Sequence, residues 1–317
     1  MTDVSPRLTY SRDLFALDDT RQQHARAARS GRERRVSRGA YVDASAWSTL
    51  DSRQRYLLTI RAVVETRRVR PVLSHWSAVA VHGLPMIGDP PREVHTIGPR
   101  STGGRSRNGV VVHSIGLDDS DVVEVDGLLV TSIARTVLDI AVSGSFVSAV
   151  AVADHALHVD RFQRGEPLTT RAALETVWND NLPFRGHLRS REVIDFAVDR
   201  SDSVLESVSR VTMRQIGCPR PTLQSSFWDA QGFIAESDFH WLEYGLIGEA
   251  DGDAKYLDEA LRSGRTAEQV VLDEKIREDR LRALPKVVTR WRWATAMNPL
   301  ALRAKLVAAG LPMGQAW

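Results

Sequence analysis

Acidic residues and a lysine cluster near the ends of strand-like stretches in the C-terminal third of the sequence. Alternating residue patterns predict three consecutive strands at 222–229, 233–241 and 246–251, of which the first two form a hairpin. Asp238 lies near the end of the second strand, and Glu249 and Asp251 share one side of the third. Three neighbouring carboxylates repel one another, so this arrangement predicts either a divalent cation or a cationic side chain, such as Lys255, among them.

An ordered set of short motifs surrounds these carboxylates. The motifs are LESVSR (205–210), GCPRP (217–221), Gln224, DFHW (238–241), GEADGDAKY (248–256), EKIREDRLRA (274–283) and TRWRW (289–293). Over residues 200–295 the set resembles the PD-(D/E)XK nuclease superfamily, in particular its very-short-patch-repair endonuclease branch. The resemblance implies a three-layer nuclease fold in which Asp238 and Glu249 hold Mg²⁺, Glu206 is the acidic residue of the preceding helix, and Gln224 lines the site.

The sequence departs from the family pattern at one position. The family has lysine two residues after the glutamate, where this chain has Asp251. The resemblance leaves two alternatives open: Lys255 takes the place of that lysine in a catalytic site, or the domain binds DNA without cutting it. Glu206 also has a second explanation, because Ser203 and Glu206 have the spacing of a capping box at the start of a helix predicted over 203–216.

The N-terminal segment is rich in arginine. Seven arginines and one acidic residue, Glu33, lie between positions 21 and 38. A first helix is predicted around the apolar residues 14–17 and a second from about Asp19, followed by a short strand pair or wing around Gly39, which is the order of a winged helix-turn-helix. In that interpretation Arg21, Gln22 and Gln23 reach base edges from the recognition helix. The wing residues Arg34, Arg35 and Arg38 contact phosphates. The alternative is a solvated helical face, because 38 of the 42 basic residues are arginine and arginine abundance alone does not indicate nucleic acid.

The middle of the chain alternates helix and strand signals. A short helix is predicted within 73–85, strands at 93–97, 109–113 and 121–125, and a further helix capped by Thr131 or Ser132. The order of RGAYVD (38–43), LSHWSAVAVHGLP (73–85), VHTIG (94–98) and VTSIARTVLDIA (130–141) resembles AbiEi-type antitoxins of type IV toxin–antitoxin systems, over about residues 8–160. The resemblance implies an N-terminal winged helix that binds promoter DNA and a mixed α/β domain after it. His75, His82, His95 and His113 are interpreted as packing or hydrogen-bonding residues rather than metal ligands.

Composition and length set the limits of these interpretations. A chain of 317 residues with 43% hydrophobic and 26% charged residues is typical of a globular protein with two or three domains. One cysteine, Cys218, excludes an intrachain disulfide and favours a reducing cytoplasm. The most apolar stretch, residues 142–159, is interpreted as a buried or amphipathic helix rather than a membrane span. The first residues have no apolar core of a signal peptide.

The sequence therefore predicts a mixed α/β protein in four parts. These are a winged helix-turn-helix (1–48), an AbiEi-like α/β domain (49–160), a helical connector (161–200) and a PD-(D/E)XK-like nuclease domain (201–317). The first functional hypothesis is a DNA-binding antitoxin-family protein with a Mg²⁺-dependent endonuclease domain, acting in phage defence or DNA processing. The second is a non-enzymatic autorepressor with a degenerate nuclease fold. The expected partners are double-stranded DNA and a cognate toxin or its operator.

Overall fold

The protein has mixed α/β structure, as the sequence predicted, and its described residues form three β-sheets. The computed structural model describes residues 6–11, 20–98, 106–159, 165–250, 276, 279–280, 283 and 286–317, without the side chains of residues 20–23 and 25. No helix within these ranges combines the length and the apolar character that crossing a bilayer requires.

The chain divides into two compact units. The first comprises Met1–Gly144 and Thr169–Arg191, and the second comprises Ser145–Leu168 and Glu192–Trp317. The helices are α1 (Thr20–Arg29), α2 (Ala44–Thr49), α3 (Ser52–Glu65), α4 (His75–Val81), α5 (Ile133–Ser143), α6 (Phe146–Leu157), α7 (Arg171–Asp180), α8 (His187–Phe196), α9 (Val204–Gln215), α10 (Trp293–Ala296) and α11 (Pro299–Ala308). The strands are β1 (Thr9–Tyr10), β2 (Glu33–Ser37), β3 (Ala40–Asp43), β4 (Val72–Leu73), β5 (Val94–Ile97), β6 (Val110–His113), β7 (Val122–Val125), β8 (Leu128–Thr131), β9 (Thr222–Asp229), β10 (Gly232–Trp241), β11 (Leu246–Ala250) and β12 (Val287–Trp291).

A small antiparallel sheet with the order β1-β3-β2 opens the first unit. Strands β2 and β3 form the basic hairpin, and its turn contains Gly39 at φ +81°, a backbone conformation that favours glycine. The following helix α3 packs against β2 and begins with a capping box between Asp51 and Gln54. This packing buries Tyr10 and Ala62 in a small core.

A five-stranded mixed sheet with the order β6-β5-β4-β8-β7 forms the larger part of the first unit. Helix α4 packs beside β5, and α5 follows β8 with Ser132 as its N-cap, whose side chain accepts a hydrogen bond from the Arg135 backbone N–H. The helix expected within 73–85 is limited to His75–Val81. Beyond it the chain turns through Gly83 at φ +75°.

The second unit contains a four-stranded sheet with the order β12-β11-β10-β9. Strands β9, β10 and β11 are antiparallel neighbours, and β12 adds to β11 in parallel. Helix α9 is joined to this sheet where Trp291 Nε1 donates to Ser209 Oγ at 2.8 Å. A Cβ atom at Gly248 would lie 2.6 Å from the Trp291 ring and 2.9 Å from Trp241, so close packing against both rings requires glycine there.

The helix expected in the apolar stretch at 142–159 is α6, and the first two residues of the stretch end the preceding helix α5. Helix α5 ends at Ser143, and α6 begins at Phe146 with Ser145 as its N-cap. Ser145 Oγ accepts a hydrogen bond from the Ser148 backbone N–H, so it satisfies one of the free donors of the new helix. The apolar pattern continues through this break, which is why hydropathy alone did not locate it.

Candidate functional site

Three buried carboxyl groups come from three different elements of the second unit. Glu206 lies in the first turn of α9, Asp238 near the end of β10 and Glu249 on β11, and their residues are 3%, 7% and 4% exposed. Carboxylates are rarely this buried unless they are paired or bind a metal. This acidic group is the chemically most distinctive feature of the unit.

The strand register brings Asp238 and Glu249 side by side. Strands β10 and β11 pair Phe239 with Gly248, so the next position along both strands places Asp238 opposite Glu249. The Asp238 carboxylate also accepts a hydrogen bond from the Ala250 backbone N–H at 2.6 Å through Oδ2. A carboxylate can accept several hydrogen bonds, so this one bond does not use all of its acceptor sites.

Gln224 links the sheet to the helix that carries Glu206. Its Nε2 donates to Glu206 Oε2 at 2.9 Å, and the register on either side of Gln224 places it opposite Asp238. Its backbone has φ +51°, in the left-handed region, which is strained for a residue other than glycine in the middle of a strand. Gln224 therefore connects Glu206 of α9 with the strand position that lies opposite Asp238.

Ser203 caps the helix that carries Glu206, but the reciprocal bond of a full capping box, from the Ser203 backbone N–H to the Glu206 side chain, is replaced by bonds from the Asp202 N–H and the Ser203 hydroxyl. Ser203 accepts a hydrogen bond from the Glu206 backbone N–H and donates to Glu206 Oε1 at 2.7 Å, while the Asp202 N–H donates to Oε2. Burial, and next the charge of Asp238, raise the pKa of Glu206 to about 8. Glu206 therefore both takes part in the hydrogen bonds at the start of α9 and belongs to the acidic group.

A cleft of about 370 Å³ opens beside Gln224. The residues that line it are Val159, Asp199, Arg200, Asp202, Gln224 and Glu236. Two of these residues, Asp202 and Gln224, donate hydrogen bonds to Glu206, while Glu206, Asp238 and Glu249 themselves are not among the lining residues. On the far side of the group, Arg290 of β12 is the register partner of Glu249.

The acidic group provides two adjacent carboxylates for a cation. In the described ranges no three or more His, Cys, Asp and Glu residues are arranged to hold a metal ion. Magnesium is commonly bound through only one or two carboxylates, with water and substrate phosphate completing its shell, and Asp238 with Glu249 fits that requirement. Asp251 and Lys255 lie outside the described residues.

The basic hairpin presents its arginines on different sides. Arg34, Arg35 and Arg38 are exposed, but Arg34 and Arg35 are consecutive on β2 and so point to opposite sides of the strand. The Arg34 guanidinium lies 5.4 Å from the centre of the Trp47 ring, and Arg35 Nε donates to the Ser37 carbonyl at 3.2 Å. The backbone at Arg21, Gln22 and Gln23 lies in the first turn of α1, and their side chains lie outside the described part.

Trp47 and Arg55 were not singled out from the sequence. The Arg55 guanidinium lies 5.7 Å from the Trp47 ring centre, and its Nε donates to the Trp47 carbonyl at 3.2 Å. Trp47 therefore contacts two guanidinium groups, Arg34 from β2 and Arg55 from α3. A tryptophan among arginines in the sequence is a weak signal, because the contact depends on how α2 packs beside the hairpin.

The four histidines of the first unit make stacking and hydrogen-bond contacts. The rings of His75 and His113 stack with centres 3.5 Å apart, His95 Nδ1 lies 2.9 Å from His113 Nε2, and His82 Nε2 lies 2.7 Å from the Thr131 carbonyl. Burial lowers the pKa of all four, that of His75 to about 2 and that of His113 to about 4. These rings are neutral near pH 7.

Comparison with known proteins gives relatives but no family. The sequence matches no family model. It is 30% identical over 166 residues to "Uncharacterized protein MT2308" of Mycobacterium tuberculosis strain CDC 1551 / Oshkosh and to "Uncharacterized protein Rv2248" of strain ATCC 25618 / H37Rv. Each alignment covers 49% of this chain and 59% of the relative's length. The chain therefore spans less than two thirds of these relatives, and their names attach no chemistry to it.

Proposed function

We propose that the second unit is a metal-dependent DNA endonuclease domain of the PD-(D/E)XK type and that the N-terminal part of the first unit is a DNA-binding winged helix of the AbiEi antitoxin type. The observation that carries the nuclease proposal is the meeting of Glu206, Asp238 and Glu249 on one helix and two paired strands. The element order supports it further: helix α9, three antiparallel strands, then a parallel β12 at the edge of the sheet.

Each side chain has a role in this proposal. Asp238 and Glu249 would hold Mg²⁺, which offsets phosphate charge and activates a water molecule when it is bound. Glu206, with its raised pKa, carries a proton near neutral pH and so adds no charge to the repulsion between the other two carboxylates. Gln224 fixes the orientation of Glu206 through its amide and lines the cleft by which a DNA strand would enter.

Cleavage of supercoiled plasmid by the purified full-length chain tests the nuclease proposal. We expect Mg²⁺-dependent nicking that Asp238→Asn and Glu249→Gln each reduce at least about 100-fold, because removing one carboxylate removes a cation ligand. Glu243→Gln is the matched control, since Glu243 is an exposed carboxyl between β10 and β11. Calorimetric titration with MnCl₂ should show weaker binding for the two site variants. Nicking that both variants retain would exclude this site.

The second candidate function is that of a non-enzymatic regulator that represses its own promoter. Asp251 in the family's lysine position favours it, and so does the basic hairpin, which needs no catalytic tail to bind DNA. Gel-shift analysis of the upstream DNA of its own gene distinguishes the two. Specific promoter binding without Mg²⁺-dependent nicking would support the regulator, and an adjacent toxin gene would support the antitoxin role.

A further inference from the structure

A lysine–histidine pair lies beside the acidic group of the second unit. Lys286 Nζ is 3.1 Å from His240 Nε2, and the ammonium group is 5.8 Å from the centre of the Phe227 ring. The Phe227 ring meets the His240 ring edge-on at 5.0 Å, and both Lys286 and His240 are half-buried. Lysine has only donors, so in this contact Lys286 donates to an unprotonated Nε2 of His240.

The strand geometry fixes where this pair lies relative to the carboxylates. His240 and Asp238 are two residues apart on β10, so their side chains emerge on the same side at a spacing of about 7 Å. On β11, Ile247 pairs with His240, and Glu249 follows two residues later. The amine of Lys286 reaches this side from the segment just before β12. One nucleic-acid strand can therefore contact both the acidic group and the pair.

A nucleic-acid strand can bind beside the acidic group only if positive charge lies nearby, and the Lys286–His240 pair supplies it. A phosphodiester strand is repelled by the carboxylates of Asp238 and Glu249 unless cations accompany it, and basic side chains that contact phosphates supply a large share of the binding free energy for nucleic acid. The nearby buried arginine, Arg210, is already engaged, because it donates to Asp154 at 2.7 Å and to the Phe196 carbonyl. Lys286 is partly accessible and keeps two further N–H donors.

We propose that Lys286 and His240 form a phosphate-binding site that holds the nucleic-acid backbone next to Asp238 and Glu249. Lys286 contributes a positive charge whose position is held by the Phe227 ring and by His240. His240 holds the ammonium group in place as a hydrogen-bond acceptor. This inference rests on the proposed nuclease function and names the contact by which that site takes up its substrate.

The test measures how the affinity for a fluorescently labelled DNA duplex depends on salt, using the full chain in EDTA. Each phosphate contact contributes about 0.9 to the slope of log K against log salt, so Lys286→Met should lower the slope by about one. Lys286→Arg should restore it, because arginine keeps the charge. Lys305→Met, on the exposed surface of α11, is the control and should leave the slope unchanged.

The outcomes separate this inference from the nuclease proposal. Thermal unfolding of Lys286→Met, in which methionine keeps an unbranched side chain without the charge, verifies that the variant is folded. If the wild type nicks plasmid and Lys286→Met keeps the full salt slope, the phosphate site is wrong while the nuclease proposal stands. If the wild type binds no DNA, both are overturned. A reduced slope restored by arginine supports the phosphate site.

Discussion

Gln224 donates a hydrogen bond to Glu206 across 2.9 Å from a strand position whose φ is +51°. A left-handed backbone at a residue other than glycine costs about 1 kcal/mol or more and persists only where its surroundings impose it. Here the surroundings are the register of β9 with β10 on both sides and the buried carboxyl that the amide satisfies. Strained residues of this kind occur most often at functional sites, which connects the backbone of β9 with the acidic group.

The first prediction concerns the strain at Gln224. Replacing it by glycine or by alanine removes the same hydrogen bond, but glycine accepts the positive φ without strain. We therefore expect Gln224→Gly to be more stable than Gln224→Ala by about 1 kcal/mol. Urea-induced unfolding of both variants measures the difference.

Ser226 supplies the control for this comparison. It is exposed on the same strand and pairs with Glu236 in regular register. Glycine in an ordinary strand is less stable than alanine by roughly 0.5–1 kcal/mol, so the order of the two substitutions should reverse there. The same order at both positions would show that Gln224 carries no strain.

Local signals predicted the elements around the site, and long-range packing decided the rest. Ser203 before an apolar helix, and a turn between two alternating stretches, gave α9 and the β9–β10 hairpin to within about two residues, because caps and turns act over a few positions. The φ of Gln224 and the burial of Glu206 depend on the contact between these two residues, which lie 18 positions apart in the chain. The parallel pairing of β12 with β11 joins residues about 40 positions apart, and no short pattern encodes it.

The second prediction follows from the raised pKa of Glu206. Its pKa rises from 4.5 in the unfolded chain to about 8 in the fold, so its contribution to stability is complete below pH 4.5 and is lost as the pH rises through 8. Each pKa unit corresponds to about 1.4 kcal/mol. Glu206→Gln has no such loss, and its amide can still accept from Asp202 and donate to Ser203. We expect the stability of this variant relative to the wild type to increase between pH 5 and pH 9 in metal-free buffer.

Urea unfolding across this pH range measures that difference. Glu243→Gln, an exposed carboxyl on the same unit, should show a difference from the wild type that is nearly constant with pH. A Glu206→Gln variant whose relative stability stays flat between pH 5 and pH 9 would mean that Glu206 ionises in the fold as easily as in water.

The third prediction concerns the stacked histidines of the first unit. Burial lowers the pKa of His113 to about 4 and that of His75 to about 2, from 6.5 in the unfolded chain. A lowered pKa means that the unfolded chain binds more protons, so stability is complete above pH 6.5 and decreases as the pH falls below it. We expect hydrogen exchange in α4, β5 and β6 to accelerate between pH 7 and pH 5, after correction for the intrinsic pH dependence of exchange.

His113→Gln tests whether the stack causes this acceleration. The variant removes one of the rings that must remain neutral, so the additional exchange at pH 5 should be smaller than in the wild type. His158→Gln, in the second unit, should leave the exchange of these three elements as it is in the wild type. If His113→Gln and the wild type lose protection equally, titration of the stack is not the cause.

The fourth prediction concerns DNA binding by the basic hairpin. If Arg34, Arg35 and Arg38 contact phosphates, affinity for duplex DNA falls steeply with salt, and replacing all three with alanine weakens binding to every sequence alike. The slope of log K against log salt should fall by about 0.9 for each contact removed. Arg21→Ala or Gln22→Ala should instead reduce the preference for one sequence over another, because base-edge contacts carry that preference.

The contact between Arg34 and Trp47 adds a further comparison. Trp47→Leu should weaken binding less than Arg34→Ala, since it frees the guanidinium without removing its charge. Fluorescence anisotropy with a promoter duplex and a scrambled duplex measures all of these changes, and binding that salt and the triple substitution leave unaltered would exclude the winged-helix assignment.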